Sequence, residues 1–165
     1  MTRILNRLAI ALGVVGALLL AVGQFGLLAG TPPGDLGVRD GRLKAPSTTP
    51  NSVSSQARLW PDHPRRDDAY VAPLRAPGDG PAKLARLKAI VEAQPGATVV
   101  ESRPDYLYAQ YRSRLLGFVD DVEFWLDAGE GVIHVRSASR LGYHDLQVNR
   151  QRIDTLRERF AASAD

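Results

Sequence analysis

At 165 residues the chain has room for one domain and little more. Its 21 basic and 18 acidic side chains give a net charge of +3, and setting aside Arg3 and Arg7 leaves 19 basic against 18 acidic; so balanced a remainder has no long-range field to hold a polyanion, which excludes nucleic acid as a partner. There is no cysteine, which excludes disulfides, thiolate metal sites and cysteine nucleophiles.

Residues 1–7 read as a short cytoplasmic N-terminus. Residues 8–30 are dominated by Leu, Ala, Val and Gly and carry no ionisable side chain. At about 1.5 Å per residue they span about 35 Å, enough to cross a hydrocarbon core of ~30 Å. Arg3 and Arg7 precede the run and acidic residues appear only after it, so the positive-inside rule puts the N-terminus in the cytoplasm and the rest outside. The expectation is a single-pass anchor in the inner membrane with a periplasmic domain. The rival is a cleaved signal peptide, whose apolar region is usually shorter. Lipidation is ruled out, because Thr31 stands where a lipobox would need cysteine.

Residues 31–68 read as a linker with some ordered pieces, punctuated by Pro32, Pro33, Gly34, Pro46 and Pro50. Trp60 within it is costly to expose and is expected to pack on the domain. The soluble domain is placed at 69–165. Residues 70–74 read as a short strand, and Pro81 suits the first turn of a helix on which Leu84, Leu87, Ile90 and Val91 recur at helical spacing. Four strands follow, at 97–103, 106–115, 118–127 and 132–139, the last two joined by a hairpin loop at 128–131. Leu146, Asn149, Ile153, Leu156 and Phe160 mark one face of a final helix, with Asp145 as its N-cap. The predicted fold class is α+β: strand, helix, four antiparallel strands and helix, an order resembling helix-grip and TATA-binding-protein-like architectures. Such folds carry many functions, so the site must decide.

Strand parity assigns faces. Phe118, Asp120, Val122, Phe124 and Leu126 share the core face, which aims the Asp120 carboxylate inward. Pairing Asp127 with Val132 sets Glu123 opposite Arg136, Phe124 opposite Val135 and Asp120 opposite Ser139. Pairing Arg114 with Val119 sets Arg112 opposite Asp121. The outer face then carries a charged ladder of Arg112, Asp121, Glu123 and Arg136, read as structural. Guanidinium groups flanking the acids compete with any cation, so no metal is expected, and no other cofactor. The inner face carries Asp120 with Ser137 and Ser139, within reach of Asn149, while Arg140 and Tyr143 follow in the turn. A buried carboxylate must be hydrogen-bonded or paired. These six residues are the candidate binding set. A Ser-His-Asp hydrolase finds residue types here, but there is no G-x-S-x-G elbow and no catalytic residue is assigned.

Three strings carry a family resemblance: TPNSVSSQA at 49–57, GFVDDVEF at 117–124 and VRSASRLGYHDLQVNRQRI at 135–153. The stretch from about residue 43 to 160 resembles domain-of-unknown-function family 1499. The resemblance implies membrane-anchored or secreted bacterial relatives and no established activity or cofactor. It carries onto this chain the positions Asp120, Asp121, Glu123, Arg136, Ser137, Ser139, Arg140, Tyr143, Asp145, Asn149 and Arg150. Many members have cysteine in the motif where this chain has Ser52, so a thiol function cannot operate here. The leading expectation is a non-enzymatic envelope domain that binds a small molecule, a lipid or another envelope protein. The alternatives are a hydrolase built on Asp120 with neighbouring Ser, His or Arg, and a purely structural module.

Overall fold

The computed structural model describes residues 1–163. Its first element, α1 (Thr2–Gln24), is long and apolar enough to cross a membrane, and its apolar window is not buried against the rest of the chain. The apolar run continues to residue 30, but the helix stops sooner. Gly26 and Gly30 take left-handed backbone (φ 77° and 67°), and the chain turns back onto the domain.

The remainder is α+β, with β1 (Ser52–Ser54), β2 (Leu74–Arg75), α2 (Gly80–Glu92), β3 (Ala97–Ser102), β4 (Tyr106–Arg112), β5 (Val119–Asp127), β6 (Val132–Ser139) and α3 (Val148–Ala162). The sheet is antiparallel in the order β1-β6-β5-β4-β3, and β2 pairs with β6 beyond β1. Leu84, Leu87 and Val91 of α2 join Ile153, Leu156 and Phe160 of α3 over Leu107, Val122, Phe124 and Val135, forming the core on one face. Asp79 starts α2 by accepting the Ala82 N–H at 3.0 Å, with Pro81 in the first turn, where its missing N–H costs nothing.

Four expectations need correction. The strand expected at 70–74 is only a bridge from Tyr70 to Ser54 followed by β2, because Pro73 offers no donor to a ladder. The supposed linker at 31–68 contains β1 and packs on the sheet: Leu43, Ala57 and residues 51–56 are buried. The β5–β6 pairing has the expected register, but β4 is shifted by two, so Arg112 lies opposite Val119 and Gln110 opposite Asp121. The cause is a wider turn, closed by the Ser113 N–H on the Phe118 carbonyl and the Phe118 N–H on Ser113 Oγ. A shift of two keeps every side chain on its face. Finally, Leu146 is not on the packed face of α3. It precedes the helix in left-handed backbone (φ 54°), is 79% exposed, and is followed by Gln147 in the same region.

Left-handed backbone costs a non-glycine residue about 1–2 kcal/mol. Leu146→Gly is therefore expected to raise unfolding stability by about 0.5–1 kcal/mol, measured by thermal melts of the full chain, since so exposed a side chain gives up little packing.

Candidate functional site

On the core face, Asp120 of β5 meets Arg152 of α3, with Nη2 of the guanidinium 2.5 Å from Oδ2. Arg152 Nη1 donates to Ser137 Oγ at 2.9 Å and to Asn149 Oδ1 at 2.7 Å, and the Ser137 hydroxyl donates to the same Asn149 oxygen. The Asn149 amide then donates to Asp145 Oδ2, Ser139 Oγ and the Asn51 carbonyl. Asn149 and Ser137 are fully buried, so this network ties α3, β6 and the segment before β1 together. Asp145 is the expected N-cap of α3, but the N-cap is Gln147 in left-handed backbone, and Asp145 reaches in from two residues before it to accept the N–H groups of Gln147 and Asn149.

Asp120 and Arg152 sit at the inner end of an open cleft of about 670 Å³, between the β4–β5 turn end of the sheet and the start of α3. That volume falls within the roughly 300–1,000 Å³ of small-molecule sites. Pro95, Phe118, Leu141, Leu146 and Val148 make its walls largely apolar, and Arg112 and Arg114 lie on its β4–β5 side. Tyr111 of β4 lines it too, paired with Asp120 across the ladder and lying under the Arg152 guanidinium at 4.5 Å. Tyr111 is 7% exposed and its buried hydroxyl has no hydrogen-bond partner among the described residues. Burial pushes that phenol up to about 12, so it stays protonated and able to donate.

The opposite face of the sheet is covered rather than exposed. Arg140 grips Asp121 with Nε and Nη2 at 2.8 and 2.7 Å, and the Tyr108 hydroxyl donates to the same carboxylate at 2.5 Å. Glu123 accepts from Arg136 at 3.3 Å, from the Tyr106 hydroxyl at 2.8 Å and from the Gly37 N–H at 2.7 Å. Arg136 also donates to the Ala45 carbonyl, and Leu36, Val38 and Leu43 pack with Tyr106, Tyr108 and Trp125. Glu123 is fully buried. The Asp121 hydrogen bond raises Arg140 above the usual guanidinium range, and burial raises Tyr106 and Tyr108. Arg112 is absent from this face network. It is exposed and donates instead to the Gly23 carbonyl of α1.

At the β5–β6 hairpin, Asp127, Glu130 and His134 bring potential ligand atoms within 4.8 Å of one another. Asp127 already accepts the Gly129 and Glu130 N–H groups, which accounts for its place in the loop. His134 stacks on Trp125 and its Nδ1 lies 3.1 Å from Ser55 Oγ. Ser55 also accepts the Val135 N–H and is buried, so its hydroxyl is spoken for and is no exposed nucleophile. Burial lowers the His134 pKa below the ordinary 6.5. The unfolded chain therefore binds the proton first, and stability falls as pH drops from 6.5 towards the folded value. His134→Phe, which keeps an aromatic ring for Trp125, is expected to flatten that slope in denaturation curves taken between neutral and mildly acidic pH.

Of the residues singled out from sequence, Asp120 and Ser139 line the cleft, while Ser137 and Asn149 lie behind them. Arg140 is on the opposite face with Asp121, and Tyr143 is exposed in the turn before α3. Arg150 ties α3 to the carbonyls of Tyr70 and Asp68. Ser52 accepts the Ser47 N–H at 2.7 Å through its hydroxyl oxygen. Sequence reading missed Arg152 and Tyr111. Arg152 shares a helix face with Asn149 three residues earlier, and Tyr111 shares core parity with Leu107 and Ala109.

A family model described as a protein of unknown function, DUF1499, matches residues 42–160. Neither the curated proteins nor the solved structures contain a match.

Proposed function

The chain belongs to the DUF1499 family, and from that membership and the cleft we propose a cell-envelope protein, anchored in the inner membrane by α1 with its domain on the periplasmic side, that binds one small amphiphilic molecule. The observation that carries this reading is the cleft itself. It is open, apolar-walled and sized for a small molecule, with the Asp120–Arg152 pair and the exposed Arg112 and Arg114 on its lining. The apolar walls take the ligand body, and the exposed guanidinium groups of Arg112 and Arg114 take its polar part.

The test is thermal stability of the full chain held in lipid-free amphipol, with and without added palmitate. A ligand at a hundred times its dissociation constant stabilises by about 2.7 kcal/mol, read as a melting shift of several degrees. Val148→Trp places a large ring at the cleft wall, at a half-exposed first helical position that tolerates bulk. It is expected to melt like the parent without palmitate and to lose the shift with it. No shift in the parent contradicts the reading.

A further inference from the structure

The cleft opens at the end of the domain where α1 leaves the membrane. Gly23, in the last turn of α1, lies so close to the β4–β5 turn that a Cβ there would meet the Leu116 carbonyl oxygen at 2.5 Å. Gln24 donates to the Leu115 carbonyl at 3.2 Å, and Arg112 to the Gly23 carbonyl at 3.0 Å. A Cβ on Gly30 would meet the side chains of Arg140 and Leu141. These contacts hold the β4–β5 turn and the loop before α3 at the depth of the final helical turn. Leu115 in the β4–β5 turn and Leu141, Tyr143, Leu146 and Val148 around the start of α3 are exposed apolar side chains of this end, while Leu59 and Val100 are exposed elsewhere in the domain. None is used by the core. Tyr143, 74% exposed, is the side-chain type favoured at headgroup level, and Arg112 and Arg114 line the cleft on its β4–β5 side, where guanidinium groups can meet phosphates.

From this geometry we infer that the rim dips into the bilayer leaflet adjoining the end of α1, and that the cleft takes one acyl chain of a phospholipid from that leaflet. Resting on the amphiphile reading above, it adds the source of the ligand and the surface by which the ligand enters. The strained Leu146 fits the assignment, since its backbone holds an apolar side chain outward at the mouth. The apolar rim gives insertion and the arginines give attraction to anionic headgroups, the combination used by interfacial proteins.

The chain has no cysteine, so Leu146→Cys gives a unique site for a nitrobenzoxadiazole dye. The full-length protein is placed in phosphatidylethanolamine–phosphatidylglycerol nanodiscs with and without brominated acyl chains. The dye at 146 is expected to emit to the blue and lose more than half its intensity to brominated lipid. A dye at Glu130→Cys, on the far hairpin, is expected to keep its intensity. Gly23→Leu, which forces α1 off the turn, is expected to remove the quenching at 146 while near-ultraviolet circular dichroism stays native. Equal, weak quenching at 146 and 130 overturns the inference. If palmitate from solution still stabilises the protein in that case, the cleft reading survives and only membrane entry is lost. If 146 is quenched but palmitate gives no stabilisation, the assignment of a lipid to the cleft falls with the reading it rests on.

Discussion

Arg136→Ala is expected to lower unfolding stability by about 3–5 kcal/mol, because it leaves the Glu123 carboxylate buried without its counter-charge. Two hydrogen bonds to Glu123 survive, from the Tyr106 hydroxyl and the Gly37 N–H, but neither carries a full positive charge. The measurement is a thermal or urea melt of the full chain in micelles, where the loss should appear as a fall of about 10 °C or more. The paired change Arg136→Met with Glu123→Leu removes both charges and is expected to recover most of the loss, short of what Tyr106 and Gly37 forfeit with their acceptor. If Arg136→Ala melts like the parent, the segment over residues 35–47 does not seal this face.

The second large effect belongs to Arg152. Arg152→Ala strips Asp120 of its partner and removes a donor to Ser137 and Asn149. About a tenth of each side chain of the pair faces the cleft, so water can reach the carboxylate and the expected cost is smaller, about 2–3 kcal/mol by the same melts. Arg152→Lys keeps the charge but cannot reach the carboxylate, the serine and the asparagine in one plane. It is expected to recover only part of the stability. A variant as stable as the parent would detach Asp120 from the α3 network.

The contrast between the two pairs shows what a single sequence can convey. Alternation along β5 was enough to send Asp120 to the core face and Glu123 to the other, because period two is local to the strand. The β5–β6 register was legible from a short hairpin with apolar residues matched on both sides. The β4–β5 register was not, because Ser113 closes the turn with its own hydroxyl and backbone, which hydropathy does not encode. That shift moved Arg112 out of the charged ladder and into contact with α1. Arg140, reading as a turn residue, filled the place beside Asp121. The covering role of residues 31–47 was also hidden, since proline-rich irregular chain has no periodicity, although Leu43 within it is only 1% exposed. The cleft was hidden for a different reason. It is made where three separate elements fail to meet, and its exposed Leu146 had a helical spacing that pointed to packing.

The central claim is that the cleft holds a lipid-like amphiphile, and the most direct measurement is photo-crosslinking from inside it. A benzophenone amino acid installed at Phe118, on the cleft wall, is irradiated in the full-length protein in native membranes, and the adduct mass is read on the intact protein. The account predicts a discrete added mass of phospholipid or fatty-acid size at 118, lost in the Val148→Trp background and missing when the crosslinker stands at Glu130. Irradiation that yields no lipid-sized adduct at 118, or the same adducts at both positions, would contradict it.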